Sequence, residues 1–324
     1  MGHMIDGAWV RQEQRIVGSD GAFQRKPTSF RHAIAPGTEF PPASGRYHLY
    51  VSLACPWAHR TLILRALKRL EGLISVSVTH WFLGEDGWSF APGEGVVPDP
   101  VMHAENLWQL YARADPHYTG RVSVPVLWDR ATDRIVNNES ADIIRILNAA
   151  FDALGAAPGD FYPAALRPDI DAVNDRVYAT LNNGVYRAGF ATTQAAYEAA
   201  VYPLFETLDW LESRLAEKPF VCGERFTEAD VRLFTTLIRF DPVYHYHFKC
   251  NLRRLADYPS LWDFTRSLYQ LPAIRQTVDL GHVKRHYFMS HETINPTRIV
   301  PAGPLLDLEA PGSRLAALRA QVAP

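Results

Sequence analysis

Cys55 lies in Ala54-Cys55-Pro56-Trp57-Ala58-His59-Arg60, and Ile63, Ala66, Leu67 and Leu70 recur beyond it at helical spacing. Pro56 suits the first turn of a helix, where its missing N–H costs nothing. A side chain at such a start faces unsatisfied backbone N–H groups and the positive end of the helix dipole, and both favour negative charge. A thiol placed there can ionise well below the ~8.5 of a free cysteine. The thiolate is the reactive form, so the spacing points to nucleophilic chemistry. A small buried apolar cysteine is the duller reading, and the succession of strand, turn, Cys-Pro and helix argues against it. Position 58 is alanine, so the Cys-x-x-Cys dithiol is absent. A single reactive cysteine needs an external thiol to resolve its disulfide, and glutathione is the obvious candidate. His59 either helps to depress the thiol pKa or has a simple structural role. Cys222 and Cys250 lack comparable settings and read as structural.

Two further pairs carry chemistry. Val124-Pro125 puts a proline at the start of a strand, which is tolerated at an edge or a special turn. In thioredoxin-like folds that proline is cis, and the residue before it offers its backbone to a peptide ligand. Glu139-Ser140 opens a helix that carries Ile143, Ile144, Leu147 and Phe151 on one face. Ser140 can cap that helix. The same N-terminus can hold a carboxylate, of which glutathione has two, and Glu139 can meet the glutathione α-amino group.

The elements that position these residues follow from periodicity. Tyr47 to Val51 and Ile74 to Val78 alternate and read as strands flanking the Cys55 helix, a β-α-β unit. Residues 84–120 form a Gly- and Pro-containing insertion with a short helix expected around Glu105 to Tyr111. Val124 to Trp128 and Arg134 to Val136 make a hairpin before the Glu139 helix. After a Gly/Pro break at 155–163 the strand signals fade. Ile170, Val173, Val177 and Leu181 begin an all-helical half, followed by Val201, Leu204, Leu208, Leu211 and Leu215. Thr227-Glu228-Ala229-Asp230 reads as a capping box, with Asp in place of Glu.

The expected fold class is α/β plus all-α, with a thioredoxin-like domain over 46–155 and an all-helical domain over 165–290. Residues 1–45 read as an extended arm lying over a folded body, or as partly disordered, with an expression scar at Met1-Gly2-His3-Met4, and 291–324 as a C-terminal extension.

Composition narrows the function. A net charge of -2 with 21% charged residues leaves no electrostatic footprint for nucleic acid or an anionic membrane. No run reaches the ~18–20 apolar residues of a membrane span, and no signal peptide is evident. Three scattered cysteines do not make a disulfide scaffold, so a reducing cytoplasm is the expected location. Tyr244-His245-Tyr246-His247 with Cys250 fits no standard zinc set, and no metal is expected.

With these residues assembled, the chain resembles the Xi class of glutathione transferases, the glutathionyl-hydroquinone reductases. The matching stretches are RYHLYVSLACPWAHRTLILRALK (46–68), WFLGEDGWSF (81–90), GRVSVPVLWD (120–129) and IVNNESADIIRILN (135–148). The helical half adds NNGVYRAGFATTQAAYE (182–198), FVCGERFTEADVRLFTTLIRFD (220–241), HFKCNLRRL (247–255) and INPTRIVPAGP (294–304). The resemblance implies Cys55 as the catalytic cysteine, Trp88 against glutathione and Arg121 paired with a glutathione carboxylate. Val124 would bond the cysteinyl unit through its backbone, and Glu139 and Ser140 would hold the γ-glutamyl end. Tyr186 and Tyr287 would point hydroxyls into an acceptor pocket from the helical domain. The resemblance also implies a C2 homodimer through that domain.

The expected reaction is glutathione-dependent reduction of S-glutathionyl-hydroquinones through a Cys55–glutathione mixed disulfide, with glutathione as co-substrate and no metal or nucleotide. An Omega-like thioltransferase or dehydroascorbate reductase shares Cys-Pro but lacks the insertion and the tyrosine placement. A non-catalytic binder of glutathione conjugates is the alternative from outside enzymology.

Overall fold

The computed structural model describes residues 2–12, 16–25 and 27–322. Two strands, β1 (His3–Ile5) and β2 (Ala8–Val10), pair as a hairpin around Asp6-Gly7. Both turn residues have positive φ, 48° and 75°, the pairing of signs that suits a two-residue Asp-Gly hairpin turn. Residues 3–5, expected to belong to a scar and to an extended arm or partly disordered segment, are a strand. Met4 is fully buried, and its backbone exchanges hydrogen bonds with Gly120 in both directions.

The main sheet begins with β3 (Tyr47–Val51), all five residues buried, and continues after helix α1 (Pro56–Leu67) with β4 (Ile74–Val78). Helix α2 (Trp108–Ala114) precedes β5 (Val126–Asp129) and β6 (Arg134–Asn137), and α3 (Ser140–Ala149) closes the half. The strand order is β4-β3-β5-β6, with β3 parallel to β4 and the other pairs antiparallel. This is the β-α-β then β-β-α arrangement of a thioredoxin-like domain. The β6 edge is partly covered by residues 30–32, whose backbone pairs with Val136 and Asn138, a device that blunts an exposed edge. Alternation along β3 puts Tyr47, Leu49 and Val51 on one face and His48 and Tyr50 on the other. His48 bonds Ser75 Oγ at 2.6 Å and Ser77 Oγ at 2.9 Å, and Tyr50 donates to Asp99 at 2.9 Å. These polar side chains are buried and satisfied, as the interior requires.

Two boundaries differ from those expected. Helix α2 starts at Trp108 rather than near Glu105. The Gln109 side chain captures the N–H groups of Glu105 and Asn106, and Leu107 N donates to the Trp88 carbonyl, so these residues are held in a non-helical path. Strand β5 starts at Val126, since Pro125 has no N–H for the ladder.

The second half is helical: α4 (Arg167–Val177), α5 (Gly184–Gly189), α6 (Gln194–Glu217), α7 (Glu228–Leu237), the short α8 (His245–His247), α9 (Pro259–Tyr269), α10 (Pro272–Arg275), α11 (Leu280–Ser290) and α12 (Leu315–Val322). Thr227 and Asp230 form the expected capping box at α7, and Asp230 also accepts from Val221 N at 2.9 Å.

The chain divides into two compact units, Met1–Gln14 with Pro27–Pro158 and Gly281–Ile299, and Arg15–Lys26 with Gly159–Leu280 and Val300–Pro324. The core of the first is built on Leu49, Ile63, Leu127, Trp128, Ile143 and Leu147, and that of the second on Ile170, Leu204, Leu208, Phe234 and Leu261. Each such side chain contributes roughly 1.5–3 kcal/mol on burial. Helix α11, with Tyr287, groups with the thioredoxin-like unit, whereas the all-helical domain expected over 165–290 included it.

Candidate active site

Cys55 is the N-cap of α1, with extended backbone (φ -75°, ψ 121°) and Pro56 as the first helical residue. Its Sγ accepts from Ala58 N at 3.5 Å and lies 3.5 Å from the Val124 carbonyl oxygen. The Val124–Pro125 peptide is cis. The sheet explains the meeting: β3 delivers the turn before Cys55, and its antiparallel neighbour β5 delivers Val124 just ahead of its first paired residue. The three cysteines form no disulfide; Cys55 is partly exposed, whereas Cys222 and Cys250 are buried. Burial pushes the Cys222 thiol up to about 12 and the Cys250 thiol higher still. His59 is fully buried within α1.

Glu139 is the N-cap of α3, and Ser140, expected to be able to cap, is instead the first helical residue. The Glu139 carboxylate accepts from Ala141 N at 3.2 Å and from Thr28 Oγ1 at 3.3 Å. Ser140 Oγ accepts from Arg60 Nη1 at 3.3 Å, and the Arg60 guanidinium lies 4.5 Å above the Trp57 ring. Arg60 thereby links the first turn of α1 to the first turn of α3. The two helix starts that the sequence singled out therefore stand in one unit and are tied together.

Arg121 is half-buried in the segment leading to Val124, and its carbonyl accepts from Tyr118 Oη at 2.9 Å. Trp88 lies in the insertion, 8% exposed, with its ring stacked on His286 of α11 at 5.0 Å between centroids and 22° between planes. Residues before it turn at Gly84–Gly87, where Gly87 has φ +73° and a Cβ would come within 2.9 Å of the Trp9 ring. Only glycine fits that approach. Trp9 Nε1 donates to the Glu85 carbonyl at 3.1 Å, and Arg11 pairs with Asp86 at 2.9 Å. The N-terminal hairpin is thus a buttress for the insertion. The hairpin within residues 1–45 is not among the elements expected from the sequence, although Asp6-Gly7 between Met4 and Trp9 is a hairpin signal.

Tyr287, on α11, is 1% exposed with its ring edge-on to His286 and His291. Tyr186 is half-buried on α5 in the second unit. It sits among Phe23, Phe190, Tyr244 and Phe248, and the Arg25 guanidinium lies 5.1 Å above its ring. Arg25 is itself fixed by Asn183 at 2.8 Å. Cys55, Trp88, Arg121, Val124, Glu139, Ser140 and Tyr287 thus share the first unit, and Tyr186 belongs to the second. Among the described residues no group of His, Cys, Asp or Glu is arranged to hold a metal ion, and no helix is long and apolar enough to cross a membrane.

Residues 54–150 match the family model of the glutathione S-transferase N-terminal domain, and residues 194–267 that of the C-terminal domain. The chain is 57% identical to the glutathionyl-hydroquinone reductase PcpF of Sphingobium chlorophenolicum, over 94% of this chain and 96% of that protein. It is 52% identical to the glutathionyl-hydroquinone reductase YqjG of Escherichia coli, over 97% and 98%. The glutathione-bound structure of YqjG superposes with a TM-score of 0.87 at 52% identity, covering 97% of this chain and 99% of that one. The glutathione-S-transferase Xi structure from Phanerochaete chrysosporium gives 0.88 at 53% identity, covering 90% and 95%.

Proposed function

The chain belongs to the glutathione S-transferase family, in its Xi class, and on that premise we propose that it reduces S-glutathionyl-hydroquinones to hydroquinones with glutathione as co-substrate. The observation that carries the reading is Cys55 at the start of α1, its sulfur addressed by the Ala58 amide. A hydroxyl there would stabilise a bound thiolate and favour conjugation. A thiolate there attacks instead.

The cycle has two displacements. The Cys55 thiolate attacks the sulfur of the glutathionyl-hydroquinone, forming a disulfide and breaking the bond from sulfur to the ring carbon. The electron pair stays on that carbon, which takes a proton, so the ring is reduced. Tyr186 or Tyr287, directed at the ring hydroxyls, favours the keto form from which departure is easier, or assists delivery of the proton. A second glutathione, as thiolate, attacks the mixed disulfide, releases oxidised glutathione and restores the Cys55 thiolate. Its thiol proton balances the one taken by the ring, and neither metal nor nucleotide enters.

Binding follows from the first unit. Glu139 faces the glutathione α-amino group, while Ser140 and the α3 N-terminus receive the γ-glutamyl carboxylate. Arg121 pairs with the other carboxylate. The Val124 backbone bonds the cysteinyl unit, which would bring the glutathione sulfur beside Cys55. Trp88 lies against the tripeptide.

We further propose a homodimer through the helical half, where Tyr202, Tyr246 and Leu252 are exposed, and a cytoplasmic location, where free thiols and glutathione persist. Light scattering would report the assembly. The activity is tested by comparing turnover of a glutathionyl-hydroquinone with that of a mixed disulfide and of dehydroascorbate. Preference for the hydroquinone conjugate supports the reading, and preference for either of the others supports the Omega-like alternative. If Cys55→Ser left every reductase activity intact, binding without catalysis would be the better account.

A further inference from the structure

Helix α11 is joined at four points to the insertion and to the residues that lead into it. His286 Nδ1 lies 2.9 Å from the Trp81 carbonyl oxygen, and His282 Nε2 lies 2.9 Å from that of Glu94. Ser290 Oγ accepts from Leu83 N at 3.0 Å, and Arg285 pairs with the Glu94 carboxylate at 2.7 Å. A carbonyl oxygen can only accept, so His286 carries its proton on Nδ1 and donates it. The same ring presents its face to Trp88, nearly parallel at 5.0 Å. His286 is 7% exposed and its edges meet Tyr287 and His291, so it has little freedom to rotate.

From this arrangement we propose that His286 is a positioning residue for glutathione binding, setting the plane of Trp88. The hydrogen bond to Trp81 fixes the imidazole just ahead of the insertion, and the fixed imidazole then serves as the platform on which the indole rests. Trp9 and Arg11 hold the Glu85–Asp86 turn from the hairpin, but neither side chain orients the Trp88 ring by stacking. The inference rests on the reading that Trp88 lies against glutathione.

The test is titration calorimetry of the full-length protein with reduced glutathione, alongside melting temperatures. An aromatic pair of this kind is worth roughly two- to tenfold in an equilibrium constant. His286→Ala should therefore weaken glutathione binding by about three- to tenfold. His286→Phe, which keeps a flat face and loses the donor, should recover most of that loss. On a Trp88→Ala background, His286→Ala should have no further effect. His286→Asn keeps an amide donor for Trp81 without the ring, and it supplies the same comparison should His286→Ala not fold. Wild-type affinity in the Ala and Asn variants with a lowered melting temperature would mark a purely structural residue and overturn the proposal. A loss that adds to that of Trp88→Ala would overturn it as well. Binding is read without turnover, so absence of reductase activity in the wild-type protein would count against the reductase reading and leave this result standing.

Discussion

The backbone N–H of Ala58 points at Cys55 Sγ from 3.5 Å, so the proposed nucleophile also caps its own helix. The two jobs can be separated by substitution. Serine is a preferred N-cap, so Cys55→Ser should keep the wild-type melting temperature or exceed it. Its reductase kcat should fall by at least about 10³-fold, since the hydroxyl is a far weaker nucleophile here. Calorimetry and steady-state kinetics on one preparation check both halves.

The three cysteines should separate cleanly in labelling. Cys55 is partly exposed at a helix start, while burial raises the Cys222 thiol to about 12 and the Cys250 thiol beyond it. Iodoacetamide near neutral pH should modify Cys55 alone in the native protein, and all three after unfolding. Peptide mapping reads the outcome, and native labelling of Cys222 or Cys250 would contradict it.

Glu139→Gln should isolate the charge from the cap. The glutamine amide oxygen can still accept from Ala141 N, so stability should change little. The proposed contact with the glutathione ammonium group loses its charge, which is worth roughly ten- to a hundredfold in binding. The KM for glutathione should rise accordingly with kcat much less affected. A large drop in melting temperature with unchanged KM would show that the carboxylate serves α3 alone.

Stability should depend on pH through His48. Burial lowers its pKa from 6.5 to about 4, so the folded protein resists protonation that the unfolded chain accepts. A depressed histidine leaves stability fully present above pH 6.5 and removes it as pH falls from there towards 4. The loss amounts to about 3 kcal/mol over that window. Urea unfolding of wild type and His48→Asn across this range should show the steeper slope in the wild type. Equal slopes would mean that His48 is already protonated in the folded state.

Much of the fold was legible because local chemistry and tertiary demand agreed. Tyr47 to Val51 alternates and is buried on both faces, Pro56 starts α1, and Thr227 with Asp230 caps α7 as its spacing implied. Where they disagreed, a local bond decided the matter. Gln109 folds back on Glu105 and Asn106 and delays α2, and Glu139 takes the cap position from Ser140.

The candidate site was legible in its chemistry and less so in its support. Cys55, Val124 and Glu139 announce themselves through their immediate neighbours in the chain. The partners of Trp88 do not. His286 reaches the Trp81 carbonyl across 205 residues of sequence, and no periodicity carries that information. The hairpin under the insertion was available in Asp6-Gly7, but a Gly- and Pro-rich setting obscured it.

The central claim is that a Cys55 disulfide with glutathione forms as the hydroquinone leaves. Intact-mass and peptide analysis after one turnover with a glutathionyl-hydroquinone, in the absence of free glutathione, tests it most directly. The account predicts one glutathionyl group on Cys55 for each hydroquinone released. Release of hydroquinone with Cys55 unmodified, or with the adduct on another residue, would contradict it.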